Sequence, residues 1–125
     1  MNVLGAISLP GVARSAPEAR AFVRRLAGSS ELAFTDETLA DMQLCVDELV
    51  ANACEHTASG LGGRVTVTVA RGRDRLRVSV IDEGGADTKP SVQHELCGEN
   101  GRGLRLVEAL SQRWGAESTT VWVEF

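Results

Sequence analysis

Asp47-Glu48-Leu49-Val50-Ala51-Asn52-Ala53-Cys54-Glu55-His56 is the stretch on which the reading of this chain turns. Placed at about 100° per residue, it belongs to a helix over residues 36–57 with two distinct faces. Met42, Val46, Leu49, Val50 and Ala53 gather on one side at the spacing of a core-facing stripe. Asp41, Glu48, Asn52, Glu55 and His56 gather on the other. For any one of these polar residues, a solvated surface position is the plainer reading. A surface helix, however, ordinarily mixes in Lys and Arg for i, i+4 pairing, and residues 43–56 contain neither. Acids, an amide and an imidazole on one uncompensated face suit a site that receives a cation. Asn52 offers a neutral oxygen fit for Mg²⁺, which keeps several waters and leans on substrate phosphates. Glu48, one turn earlier, is placed to accept a proton from an incoming hydroxyl or water.

On the N-terminal side, residues 7–10 close a short strand ended by Pro10-Gly11. Ser15 is the expected N-cap of the next helix, with Pro17 in its first turn and Glu18 completing a capping box. Ala21, Phe22, Val23 and Leu26 supply its apolar stripe, and it ends near Gly28. Arg20, Arg24 and Arg25 form its solvated face or meet an acidic partner. Gly28-Ser29-Ser30 is a loop, and the central helix begins near Thr35-Asp36.

On the C-terminal side, Ser59-Gly60-Leu61-Gly62-Gly63 precedes a strand and not a helix, so it reads as a flexible turn and not a phosphate cradle. Val65, Val67 and Val69 alternate with Thr66, Thr68 and Ala70; Leu76, Val78 and Val80 alternate with Arg75, Arg77 and Ser79. Joined by Arg71-Gly72-Arg73-Asp74, these runs make an antiparallel hairpin with one face buried. The second strand leads into Ile81-Asp82-Glu83-Gly84-Gly85. Residues 86–100 are poor in apolar side chains and read as a mobile loop, in which His94-Glu95 is solvated. Gly101-Arg102-Gly103 opens a third helix with Leu104, Leu106, Val107 and Leu110 as its stripe, ending near Trp114-Gly115. Residues 120–125 form a last strand with Val121, Val123 and Phe125 on one face.

The order β-α-α-β-β-α-(β)-β predicts an α/β two-layer sandwich: a mixed, mostly antiparallel sheet covered on one face by about three helices. It is not a doubly wound nucleotide fold, because neither Gly-x-x-x-x-Gly-Lys-Ser/Thr nor a strand-Gly-x-Gly-x-x-Gly-helix unit occurs. With 125 residues, 43% hydrophobic and 24% charged, a single soluble domain over residues 1–125 is expected. The net charge of −4 argues against nucleic acid as the main partner. Three cysteines (Cys45, Cys54, Cys97) without a Cys-x-x-Cys pair favour reduced thiols. No stretch approaches the roughly 20 apolar residues of a membrane span, so no membrane is expected. The absence of a signal-like N-terminus adds a cytoplasmic location to these expectations.

Two further sites depend on glycine. Asp82 ends a buried strand and is either an ordinary turn residue or a carboxylate that accepts the exocyclic amino group of adenine, with Gly84 letting the ring lie close to the backbone. Gly101 and Gly103 stand where a loop becomes a helix, and free N–H groups there suit phosphate oxygens. Either alone is a weak signal; with Glu48 and Asn52 they form an ordered set.

That set resembles the ATP-binding domain shared by gyrase, the ninety-kilodalton chaperones, histidine kinases and the mismatch-repair ATPases. Glu48-x-x-x-Asn52-Ala53 matches its first box, Asp82-x-Gly84 its second and Gly101-Arg102-Gly103-Leu104 its third. The length, the run from Glu48 to His56 and the ending Thr119-Thr120-Val121-Trp122 are most similar to the anti-sigma-factor serine/threonine kinases. The resemblance implies Glu48 as catalytic base, Asn52 as Mg²⁺ ligand and Asp82 as adenine reader. It also implies a nucleotide-binding set of Asn52, His56, Asp82, Gly84, Gly101, Arg102, Gly103, Leu104 and Thr120, with 86–100 as a lid over ATP. Ala86 stands where the second box usually has its last glycine, and no glycine precedes the terminal strand at Glu117-Ser118-Thr119-Thr120.

The implied activity is transfer of the γ-phosphoryl of Mg-ATP to a Ser or Thr of a small anti-sigma antagonist protein. A sigma factor is a possible second partner, and the family implies a homodimer. The competing reading is a nucleotide-dependent binding module that phosphorylates nothing. A histidine-kinase catalytic unit needs a helix pair bearing an acceptor His, which residues 1–30 do not provide.

Overall fold

Val65, Val67 and Val69 on one strand and Leu76 and Val78 on the next are fully buried, while Thr66, Thr68, Arg77 and Ser79 between them are half-buried. This period-2 split gives a sheet with an inner face toward helices and an outer face on which none of the described helices packs. The computed structural model describes residues 1–56, 62–83 and 101–125, with the backbone alone for residues 56 and 101–103. In chain order the described elements are β1 (Asn2–Pro10), a 3₁₀ turn (Ala13–Ser15), α1 (Ala16–Ser29) and α2 (Asp36–His56). Then follow β2 (Arg64–Arg71), β3 (Leu76–Ile81), α3 (Gly101–Leu110), β4 (Arg113–Glu117) and β5 (Thr120–Glu124). The sheet runs β1-β2-β3-β5-β4, and every described pairing is antiparallel. The expected two-layer α/β sandwich is therefore found, its mixed sheet resolved into an antiparallel one.

Helix α2 supplies the middle of the core. Met42, Cys45, Val46, Leu49, Val50 and Ala53 are buried against Val23, Phe22 and the inner valines of the sheet. Helix α1 packs on α2 and on β1, and α3 lies along α2 on its other side. Close approach of α1 to β1 depends on Gly5, since a Cβ there would stand 3.0 Å from Leu26 Cδ1.

Local signals hold at some helix ends and fail at others. Helix α2 begins at Asp36, as the sequence predicts, and Thr35 Oγ1 caps it by accepting from the Thr38 N–H at 3.1 Å. Ser15 is the N-cap of α1 by position, but the expected capping box does not form. Its backbone is helical (φ −78°, ψ −15°), and its hydroxyl donates to the Pro10 carbonyl at 2.7 Å. A capping hydroxyl needs extended backbone geometry, which the preceding 3₁₀ turn denies it.

Two more expectations are corrected. The first strand starts at Asn2, not at residue 7, because its backbone pairs with β2 from Asn2↔Arg71 onward across a bulge at Val3/Gly5. The third helix ends at Leu110, not near Trp114-Gly115. There the Ser111 hydroxyl donates to Val107 O at 2.7 Å, and Gln112 N–H already bonds Glu124 O at 2.9 Å. Trp114 and Gly115 belong to β4, opposite Val123 and Trp122. The expected turn at 59–63 falls mostly outside the described residues; within it Gly62 has φ +94°, the left-handed region that glycine enters without strain.

Candidate functional site

Burial along α2 divides the polar residues singled out from the sequence. Glu48 and Asn52 are half-buried, as is Asp41, whereas Glu55 is exposed. Glu48 and Asn52 are i and i+4, so their Cβ atoms lie about 5–6 Å apart on one side of the helix. Leu49, Val50 and Ala53, interleaved with them, are locked into the core. The two polar side chains are thus carried on one of the most firmly packed segments of the molecule.

The charge around Glu48 is visible through a neighbour. Burial, followed by the negative charges of Asp41 and Glu48, pushes the Cys45 thiol up to about 12. Cys45 therefore stays a protonated packing residue and no nucleophile. Burial, and then Glu55, also raises the Cys54 thiol. Both are free thiols, as expected; Cys97 lies outside the described residues.

One ion pair was not legible in the sequence. Arg20 of α1 donates from Nη1 to Asp47 Oδ1 at 2.7 Å. Arg20 is therefore not merely part of a solvated face; it ties α1 to α2 at the residue before Glu48. No local pattern announces a pair separated by 27 positions. Arg24 and Arg25 are exposed as expected.

The end of β3 assembles a second group. Asp82 is 8% exposed, its N–H donates to Thr119 O at 2.9 Å, and Ile81 pairs with Thr120. The structure thus brings Asp82 and Thr120 together at the same end of the sheet, although 38 positions of sequence separate them. Helix α2 packs against β3, and α3 packs against α2.

Helix α3 begins at Gly101 and has no acidic residue in its first turn. The first-turn N–H groups and positive dipole end of a helix favour an anion in general. Leu104 is 3% exposed and anchors that turn. Gly101 and Gly103 lie in the first turn by backbone; the side chains of Arg102 and His56 lie outside the description, as do Gly84 and the whole 86–100 segment.

The described residues are chemically compatible with an adenine nucleotide: a strand-end carboxylate at Asp82, an amide on α2 at Asn52 and a helix whose own first turn carries no acid. Among the described residues no group of three His, Cys, Asp or Glu side chains could hold a metal by itself. A cation here would rely on Asn52 and on phosphate oxygens, as Mg²⁺ commonly does. Also among the described residues, no helix is long and apolar enough to cross a membrane.

Residues 9–125 match the histidine kinase-like ATPase domain family, and the chain belongs to that family. It is accordingly a kinase-like ATPase domain that binds ATP. No curated protein shows significant similarity to it.

Proposed function

We propose that this protein is a serine/threonine kinase of the anti-sigma-factor type, acting on a small antagonist protein. The supporting observation is the placement of Glu48 and Asn52 one turn apart on the half-buried side of α2, the helix that packs against the strand ending at Asp82. In this reading Asp82 accepts the amino group of adenine, and Thr120 lies beside it. Asn52 holds Mg²⁺ together with the phosphates. Backbone N–H groups at Gly101 and Gly103, with Arg102, bind the triphosphate; His56, Gly84 and Leu104 complete the pocket, and residues 86–100 close over it.

Mg-ATP supplies the transferable phosphoryl group. Glu48 receives the proton of the attacking Ser or Thr hydroxyl, and positioning and electrostatics do most of the remaining work. The regulated partners are an antagonist protein that carries this hydroxyl and a sigma factor, with the chain acting in the cytoplasm as a homodimer.

Transfer of label from γ-³²P-labelled ATP to candidate antagonist proteins tests the reading. Mg²⁺-dependent labelling on Ser or Thr is expected. ATP binding without labelling of any candidate antagonist would replace the kinase with a nucleotide-dependent binding module.

A further inference from the structure

The helices cover the inner face of the sheet, and the family's nucleotide residues lie there or at the Asp82 end. The outer face carries a different construction. Across β3, β5 and β4, one register row reads Arg77↔Glu124↔Arg113, and the next reads Ser79↔Trp122↔Gly115. Arg75 stands two residues before Arg77 on the same face.

Glu124 is 1% exposed, although it sits on the side of the sheet without helices. What buries it is arginine. Arg77 donates to Oε2 from Nε at 2.8 Å and from Nη2 at 2.7 Å, and Arg75 Nη1 donates to Oε1 at 3.3 Å. Arg113 Nη1 stands 3.8 Å from Oε1, too far for a hydrogen bond but close enough for attraction.

Three guanidinium groups thus answer one carboxylate, and two positive charges are left over. The arginine side chains remain 36%, 35% and 60% exposed for Arg75, Arg77 and Arg113. Each guanidinium has five N–H donors, of which the carboxylate takes few. The remaining charged groups around the patch do not cancel it. Arg75 Nε also stands 3.7 Å from Oδ1 of the exposed Asp74, whose charge Arg73 beside it balances in the sum, and Glu117 lies two rows away, opposite Thr120. This excess stands on a chain whose net charge is −4.

We propose that this outer face docks an acidic segment of a partner protein, with Arg75, Arg77 and Arg113 as its anchors. Charge complementarity selects the occupant. Glu124 holds the cations in place before binding, so little side-chain freedom is lost when carboxylates arrive. Arg75 and Arg77 are about 7 Å apart along β3, the repeat of alternate acids on an extended segment. Neighbouring outer positions are small and polar (Thr66, Thr68, Ser79), which leaves such a segment room to lie across the sheet.

A nucleic acid is the poorer fit. The face has one indole, and it is already engaged: the Arg77 guanidinium lies 4.0 Å from the Trp122 ring centroid, and Gly115 lies directly against the ring. Among the described residues of this face no free aromatic platform is left for base stacking. The patch also lies about five residues, or roughly 16 Å, along β3 from Asp82, on the opposite side of the sheet from α2. Binding here is therefore separable from the nucleotide.

The test is a fluorescence titration of the intact protein with a capped peptide of alternating Glu and Val residues, at low and at physiological salt. Trp114→Phe leaves Trp122 as the reporter, and a single-stranded oligonucleotide serves as the rival ligand. Salt-sensitive peptide binding is expected, weakened about 3- to 10-fold by Arg113→Glu and further by adding Arg75→Glu. Arg24→Glu with Arg25→Glu on α1 should leave peptide affinity within about 2-fold, as distant charges on a screened surface do. ATP affinity should be unchanged in every variant. Absence of peptide binding at low salt, equal weakening by the α1 reversals, or tighter binding of the oligonucleotide would overturn the proposal.

Discussion

Replacing Glu124 with Gln keeps the shape of the side chain and removes the charge beneath three arginines. The glutamine oxygen can still accept from Arg77, but its NH₂ group then faces the donors of Arg75 and Arg113. A hydrogen bond to a charged group contributes roughly 1.5–3 kcal/mol net. The short contacts from Arg77 at 2.7 and 2.8 Å are the ones to weigh at that level. The contacts of Arg75 and Arg113 are longer and their cations more than a third exposed, so water screens most of their share. The loss should come to about 2 kcal/mol. At roughly 2.1 cal/mol/K per residue, that lowers the melting temperature of a chain of this size by about 8 °C.

The same residue predicts a pH signature. Burial pushes the Glu124 carboxyl up, but the hydrogen bond and charge of Arg77, with Arg75 and Arg113, outweigh it and hold the pKa below the usual glutamate value. A group depressed on folding contributes stability that is complete above its unfolded pKa, about 4.3, and lost as pH falls through the folded value. Thermal melts followed by circular dichroism should therefore show the full gap between wild type and Glu124→Gln at pH 7. The gap should close toward pH 3. A gap under about 2 °C at pH 7, or one that persists undiminished in acid, would refute this account of the cluster.

Four shorter predictions follow the same logic. Glu48→Gln should reduce phosphoryl transfer by ~10²–10⁴-fold while leaving ATP affinity nearly intact, since a general base acts in the transition state; equal turnover in single-turnover assays would remove Glu48 from catalysis. Asp82→Ala should weaken ATP binding by roughly 5- to 150-fold in calorimetry, and wild type should prefer ATP to GTP, whose carbonyl would face the carboxylate; equal affinities for the two nucleotides would end the adenine-reader assignment. Glu31, just past α1, has φ +68°, so Glu31→Gly should raise stability by about 0.5–1 kcal/mol, read as a higher denaturant midpoint at unchanged slope. A Cβ at Gly115 would stand 2.6 Å from Trp122 Cζ2, so Gly115→Ala should cost about 1–3 kcal/mol and shift Trp122 emission; an unchanged melt would mean the ring moves freely.

Much of this protein is legible before it folds. The stripe through Met42, Val46, Leu49, Val50 and Ala53 fixes a long helix with its core side, and the observed α2 runs from Asp36 to His56. The alternating valines fix the β2–β3 hairpin, and the short runs Glu48–Ala53, Asp82–Gly84 and Gly101–Leu104 resemble the boxes of the family that the match over residues 9–125 shows. These signals are local: period, cap and turn chemistry act within a few residues, so the sequence carries them directly.

What the sequence left open depends on residues far apart in the chain. β1 is longer than its own pattern suggests because β2 supplies its partners, and Arg113–Glu117 is a strand because β5 lies beside it. Ser15 gave its hydroxyl to Pro10 because of a turn before the helix, not because of anything within it. Asp47 met Arg20 across two helices, and Glu124, an alternate residue on a terminal strand, became the most buried charge in the described chain. Pairing across strands and helices is set by which surfaces the collapsed chain brings together. That is decided by packing, and for pairs such as Arg20–Asp47 and Arg77–Glu124 no local window of sequence contains both partners.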